Sequence, residues 1–271
     1  YKYVETGQST GLLDADDAPG HAAGMEGMKR AIELANNSGI GAVSVSNSSH
    51  FGAAAYFSFE AAKNDMIGLS FTHATAHVTP PNGVKPFFGN NPFCLVAPCD
   101  GEGPFCFDMA TTITTFNKVQ SFKDKNEKIP DGWGLDKNGV MTTNPENVLS
   151  LLPIGDYKGF GLSMSLEILC SLLSGMSFGP NVSSMFGNSM SEKRKLGQFF
   201  IAINISKFVD IKIFKSRLKK MMNQLRSQPS KVQGKSILAP GDPEKLAFLE
   251  RKKSGLNIDA DLIELIDRYQ K

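Results

Sequence analysis

His50 is the side chain in this sequence that is best placed to move a proton. It follows the apolar stretch 40–45 through a short loop of serine and asparagine, and it precedes a segment with helical spacing. In open α/β sheets, ligands bind beyond the carboxyl ends of the strands, and histidine titrates close to neutral pH. We therefore treat His50 as a candidate general acid or base. The alternative is a histidine that caps the helix or fills the loop.

The other three histidines are weaker candidates. His21 lies between a turn and a helical pattern, so a role at the start of the helix is favoured over catalysis. His73 and His77 are four residues apart, but the chain then runs into two prolines and offers no nearby carboxylate. Because metal-binding histidine pairs of this spacing lie on a helix, we expect no metal site here. A metal-dependent enzyme that uses this pair is a third, weaker hypothesis.

Two charged residues could hold a ligand. Lys158 lies in a glycine-containing run, YKGFG, just before an apolar helical segment. Glycines let a backbone approach a ligand closely, and helix N-termini favour anions. Asp108 ends a strand-like run, where a carboxylate can bind ribose hydroxyls. A surface lysine at a turn and a capping carboxylate are the open alternatives.

Sequence fingerprints and composition limit the class of protein. The chain contains no G-x-G-x-x-G and no G-x-x-x-x-G-K-[ST] run, which argues against a Rossmann or P-loop nucleotide site. It has 29 basic and 27 acidic residues and a net charge of +2, so neither nucleic acid nor a membrane surface is the expected partner. No apolar run is long enough to predict a transmembrane helix.

The four cysteines form no C-x-x-C pair. They are expected to be free thiols in a reducing, cytoplasmic compartment, with no disulfide and no metal.

The elements that must position these residues follow an α/β pattern. Residues 22–36 have apolar side chains at helical spacing, and strands and helices alternate from residue 40 to residue 72. Such alternation predicts a mixed sheet flanked by helices. The later predicted elements are strands at 93–97, 105–107 and 199–205, a buried helix at 162–173, an amphipathic helix at 211–228, and helices at 243–253 and 259–269.

Seven segments, in order, resemble the malate/L-lactate dehydrogenase family. They are residues 46–52 (SNSSHFG), 89–92 (GNNP), 107–111 (FDMAT), 129–133 (IPDGW), 152–155 (LPIG), 157–162 (YKGFGL) and 197–204 (GQFFIAIN). Each match is short, but their common order over nearly the whole chain is specific.

The resemblance implies a family-specific, non-Rossmann NAD(P)-binding α/β fold, one oxidoreductase domain over residues 1–271, and a homodimer. The implied activity is hydride transfer between NAD or NADP and a small 2-hydroxy acid such as malate or lactate. His50 would be the catalytic acid/base. The cofactor would lie against Ala74, Asp108, Met109, Ala110, Lys158, Gln198, Phe199 and Phe200.

The family pattern also implies a helical N-terminal segment that supplies an arginine for the substrate carboxylate. Tyr1 aligns inside that pattern, so the sequence is expected to lack the segment. An alternative hypothesis is therefore a catalytically inactive relative or fragment that acts as a binding or dimerisation module.

Overall fold

The computed structural model of the protein describes residues 1–184, 192–258 and 260–269. A π-helical turn, Ile168–Leu172, directly follows the α-helix Tyr157–Glu167. The strands are β1 (Lys2–Gly7), β2 (Thr10–Asp14), β3 (Ile40–Ser48), β4 (Met66–Thr72), β5 (Phe93–Ala97), β6 (Phe105–Met109), β7 (Gly134–Leu135), β8 (Met141–Thr142), β9 (Ser150–Leu151) and β10 (Leu196–Asn204). The α-helices are α1 (Gly20–Ser38), α2 (Ala55–Lys63), α3 (Phe116–Asp124), α4 (Tyr157–Glu167), α5 (Ile211–Arg226), α6 (Asp242–Ser254) and α7 (Ala260–Tyr269).

Seven strands form the main sheet in the order β1-β2-β3-β10-β4-β5-β6, and β8-β7-β9 form a second, small sheet. β2 and β3 are parallel, whereas β10 is antiparallel to both of its neighbours. The predicted mixed α/β sheet flanked by helices is therefore confirmed. β10 is the last strand in the sequence but lies at the centre of the sheet, where apolar side chains on both faces are covered.

The main core lies between the sheet and the helices α1 and α2. Phe57 of α2 and Phe200 of β10 are fully buried there, with their ring centroids 5.4 Å apart. Gly24 and Gly27 of α1 face these rings, where an added Cβ would lie 2.7–2.8 Å from the nearest ring carbon. The small residues of α1 thus let the helix approach the sheet closely.

Some expectations differ from the structure. The apolar segment at 162–173 is not a buried helix, because Met164, Ile168 and Leu172 are 49%, 43% and 54% exposed. Only the side that carries Leu166 and Cys170 packs against the sheet. The last helix begins at Ala260, and its predicted first residue, Asp259, lies outside the described residues. Among the described helices, none combines the length and apolar character needed to cross a membrane.

The chain groups into two compact units, residues 1–218 and 219–271. The first contains both sheets and the helices α1 to α4. In the second, Arg226 binds Asp242 through two charge-assisted hydrogen bonds of 2.7 and 2.8 Å, and the same carboxylate accepts from the Ala239 N–H. The single oxidoreductase domain expected for residues 1–271 stays a prediction.

Gly41 of β3 lies against the backbone of α1, and an alanine there should be strongly destabilising. A Cβ at this position would lie 2.0 Å from the carbonyl oxygen of Ala31. We expect Gly41→Ala to lower the free energy of unfolding by about 1–3 kcal/mol, as measured by urea denaturation. Gly161→Ala is the matched control, because its Cβ would meet no atom within 4 Å. Equal urea midpoints for Gly41→Ala and the wild type would contradict this close packing.

Candidate active site

A cleft of about 340 Å³ opens at one edge of the main sheet. β3 and β4 both end there, and β10, which is antiparallel to both, begins there. A volume of this size is in the range of small-molecule sites. The cleft is lined by His50, Phe51, Gly52, Ala53, Ala54, Thr72, His73, Ala74, Thr75, His77, Asn90, Pro92, Asp108, Ala110, Thr115, Phe116, Asn117, Arg194 and Leu196.

His50 lies in the loop that joins β3 to α2, and its side chain remains accessible from the cleft. Its Nδ1 accepts a long hydrogen bond of 3.3 Å from the Gly52 N–H. Desolvation in the cleft lowers the pKa of His50, and the electrostatic effects of Arg194 and His21 lower it further. His50 is therefore neutral at pH 7, the state in which an imidazole can accept a proton.

Arg194 brings a cation into the same cleft. Its Nη2 donates to Thr75 Oγ1 at 3.1 Å, while its Nε is buried with no hydrogen-bond partner among the described residues. Desolvation lowers the pKa of Arg194. His77 packs its ring on Phe116, with centroids 4.5 Å apart, and its pKa is lowered by desolvation and then by the charge of Arg194. The cleft therefore favours anionic ligands.

His73 is a lining residue of the cleft, but it is fully buried, next to the buried Glu167. The Gly197 N–H donates to His73 Nε2 at 2.8 Å, so the neutral imidazole carries its proton on Nδ1. That Nδ1 lies 3.6 Å from Glu167 Oε1, which is too far for a hydrogen bond. His73 thus joins the start of β10 to the helix α4, and it is not available to a ligand as an open acid or base.

Asn91 extends this buried network to the wall of the cleft. Its Nδ2 donates to Glu167 Oε2 at 2.6 Å and to the Ser163 carbonyl at 3.0 Å. Its Oδ1 accepts from the Ala74 N–H at 3.0 Å. Glu167 Oε1 also accepts from the Gly179 N–H at 2.9 Å. The loop after β4 is therefore held in place by three buried side chains, His73, Asn91 and Glu167.

Three of the residues that the resemblance implied for the cofactor lie in the cleft with His50: Ala74, Asp108 and Ala110. Asp108 lies within β6, which extends two residues beyond the strand predicted at 105–107, and its Oδ2 accepts from the Ala55 N–H at the start of α2 at 2.8 Å. Its carboxylate therefore satisfies a backbone donor at the N-terminus of α2, whereas the capping alternative placed it at the segment that follows Asp108.

The other five implied residues do not line this cleft: Met109, Lys158, Gln198, Phe199 and Phe200. Lys158 is exposed in the first turn of α4, whereas the sequence predicted it to lie just before a helix that begins at residue 162. Gln198 is fully buried, and its Nε2 donates to Ser48 Oγ at 2.7 Å. Phe199 and Phe200 pack on opposite sides of the central sheet. Cofactor contacts for these five stay predictions.

Sequence reasoning missed Arg194 and the buried network. Arg194 stands in a run of charges, Glu192 to Lys195, that has the pattern of a solvated surface segment. His73 and His77 were considered together as a metal pair, but His73 binds the backbone of β10 instead. In the described residues, no group of three metal-ligating His, Cys, Asp or Glu side chains occurs.

The chain is similar to known dehydrogenases over nearly its whole length. The family model described as malate/L-lactate dehydrogenase matches residues 1–267. A malate dehydrogenase from Pyrococcus abyssi is 36% identical over 100% of this chain and 76% of its own. A ureidoglycolate dehydrogenase (NAD(+)) from Escherichia coli is 35% identical over 98% of this chain and 76% of its own. The crystal structure of malate dehydrogenase from Entamoeba histolytica has a TM-score of 0.91 at 30% identity, covering 98% of this chain and 78% of that one.

Proposed function

The chain belongs to the malate/L-lactate dehydrogenase family, and from that membership we propose that it transfers a hydride between NAD or NADP and a small 2-hydroxy acid such as malate or lactate. The observation that carries this proposal is His50, a neutral and accessible imidazole in a cleft that favours anions. The homodimer and the cytoplasmic location implied by the resemblance stay predictions.

The cleft suits a nicotinamide nucleotide next to an acid substrate. Arg194 has a buried Nε that no described residue accepts from, so an oxyanion would complete its hydrogen bonding. We place the cofactor against Ala74, Asp108 and Ala110, which line the wall near His50. When bound, a nicotinamide supplies hydride transfer, a chemistry that side chains do not provide.

His50 supplies the proton chemistry of this proposal. In oxidation, its neutral imidazole takes the hydroxyl proton from the substrate; in reduction, the imidazolium returns a proton to the same oxygen. Because Gly52 occupies Nδ1, the nitrogen that meets the substrate is Nε2. Accepting a proton on Nε2 requires the tautomer with its proton on Nδ1. In that tautomer Nδ1 can no longer accept from the Gly52 N–H. The loss of this long hydrogen bond costs about 0.5–1.5 kcal/mol.

Steady-state turnover tests the proposed function. The full-length protein is mixed with NAD or NADP and a panel of 2-hydroxy acids, and with the reduced cofactors and the matching 2-keto acids. We expect a change in nicotinamide absorbance with at least one acid. Cofactor binding without turnover of any of them would overturn the proposal and favour the inactive binding or dimerisation module.

The pH dependence of turnover should follow His50. Because desolvation, Arg194 and His21 all lower its pKa below the usual 6.5, we expect kcat/KM for oxidation to rise with pH and level off with a midpoint below 6.5. Reduction needs the imidazolium, so its kcat/KM should fall as pH rises through the same midpoint. Asp108 also lines the cleft, and its carboxylate would act to raise the pKa of His50. An oxidation midpoint above 6.5 would contradict this assignment.

A further inference from the structure

Among the residues that the structure describes, Arg194 has no counter-ion. Among the described residues, no carboxylate lies within 4 Å of its guanidinium, and the hydroxyl of Thr75 is its one hydrogen-bond acceptor. Its Nε is buried and has no partner among those residues. A partly desolvated guanidinium with an unused donor is costly unless an anion occupies the space beside it.

Thr75 holds Arg194 at the wall of the cleft. The Thr75 Oγ1 that accepts from Arg194 also donates to the Ser183 carbonyl at 3.0 Å, so the hydroxyl is fixed from both sides. The preceding residue, Ala74, is fixed through its N–H by the buried Asn91. The guanidinium is thus anchored to a rigid part of the wall, which reduces the entropy that a bound anion would have to overcome.

We propose that Arg194, positioned by Thr75, binds a carboxylate of the substrate beside His50. The inference rests on the proposed function and deepens it by assigning an anchor for the acid that is distinct from the arginine which the family resemblance implies in an N-terminal segment. A planar guanidinium matches a carboxylate through two parallel hydrogen bonds, which fixes both the distance and the orientation of the acid. Because a 2-hydroxy acid has its hydroxyl on the carbon next to the carboxylate, this anchoring brings the hydroxyl towards the imidazole.

Arg194 lines the same cleft as His50 and His77, and its charge lowers the pKa of both histidines. The guanidinium is therefore close to the proposed base, where the acid end of a substrate must lie. A phosphate of the cofactor could bind the same donors instead of the substrate carboxylate. The experiment below distinguishes these two anions.

Oxalate, an unreactive dicarboxylate, is the probe. It is titrated into the full-length protein while the imidazole resonances of His50 and His77 are followed by NMR, and ADP-ribose is titrated separately as the phosphate probe. We expect Arg194→Gln to weaken oxalate binding by about 10- to 100-fold, the loss typical of one charge-assisted hydrogen-bonding partner. Arg194→Lys, which keeps the charge but not the planar fork, should fall between Arg194→Gln and the wild type.

Lys193→Gln is the matched control, because it removes the same charge from an exposed side chain that pairs with Asp17 outside the cleft. It should change the oxalate affinity by less than about twofold, as expected for a screened surface charge. Thr75→Val removes the hydroxyl that accepts from the Arg194 guanidinium, so this variant should also weaken oxalate binding. It serves if Arg194→Gln does not fold.

Equal affinity for oxalate in the wild type and in Arg194→Gln would overturn the proposal, as would no binding of oxalate to the wild type. Loss of ADP-ribose binding with unchanged oxalate binding would also overturn it. The binding readout is independent of turnover. Arg194-dependent oxalate binding in a protein that oxidises no 2-hydroxy acid would overturn the enzymatic function alone, whereas normal oxidation with unchanged oxalate affinity would overturn the anchor alone.

Discussion

We expect His50→Ala to lower kcat for oxidation of a 2-hydroxy acid by about 100- to 10,000-fold, the usual contribution of a positioned general base. The variant removes the neutral imidazole that takes the hydroxyl proton. Its side chain is accessible and its single described hydrogen bond is the long one from Gly52, so the fold should be unaffected. Single-turnover absorbance at saturating cofactor measures the loss at the chemical step.

His21→Gln is the matched control for His50→Ala. His21 lies near Gly52 and acts on His50 only through its charge, which lowers the pKa of His50. Replacing His21 should move the midpoint of the pH profile of kcat/KM for oxidation slightly upwards. The value of kcat/KM at high pH should be unchanged. If His50→Ala retains wild-type kcat while His21→Gln loses it, the base has been assigned to the wrong histidine.

The second large effect is expected at Glu167. Replacing it with leucine leaves the donors of Asn91 and Gly179 without their acceptor, and leaves the buried His73 without its neighbouring carboxylate. Each buried donor left without its acceptor costs about 1–3 kcal/mol, so the loss of both acceptor oxygens should destabilise the protein by about 2–6 kcal/mol. We expect a loss of that size in the free energy of unfolding of Glu167→Leu, measured by urea denaturation with two spectroscopic probes.

Glu146→Leu provides the comparison for Glu167→Leu. Glu146 also pairs with a cation, Lys123, at 2.8 Å, but on the exposed surface. Its loss should change the free energy of unfolding by less than about 1 kcal/mol, because solvent screens such pairs. Glu167→Gln keeps one acceptor oxygen, so its loss in free energy of unfolding should lie between those of Glu167→Leu and Glu146→Leu. Similar urea midpoints for both leucine variants would show that the buried network contributes little to stability.

Local patterns predicted the strands and helices near the cleft well. Helical spacing identified α1, and the loop that follows β3 placed His50 beyond the end of a strand, where the structure has it. Hydrophobic periodicity is a short-range signal, so it identifies individual elements. The family resemblance added cofactor contacts for Ala74, Asp108 and Ala110, which line the cleft and whose roles stay predictions.

No local sequence pattern predicts the contacts between distant residues. Asn91 and Glu167 are 76 positions apart, and neither is marked by a pattern that predicts their hydrogen bond. Arg194 was overlooked for a related reason: its charged neighbours suggest a solvated segment, and only the fold brings it beside Thr75. The sequence context of Lys158 left a ligand site and a surface lysine equally open, and in the structure its side chain is exposed outside the cleft.

The central position of β10 has a consequence for biosynthesis. β3 and β4 flank β10, yet Gly197 follows His73 by 124 positions, an interval that a ribosome covers in roughly 6–25 s. During this time the nascent chain presents two unpaired apolar strand edges, which favour aggregation. A ribosome-bound chaperone that shields these edges should therefore raise the yield of folded protein, and a chain stalled before residue 196 should be its preferred client.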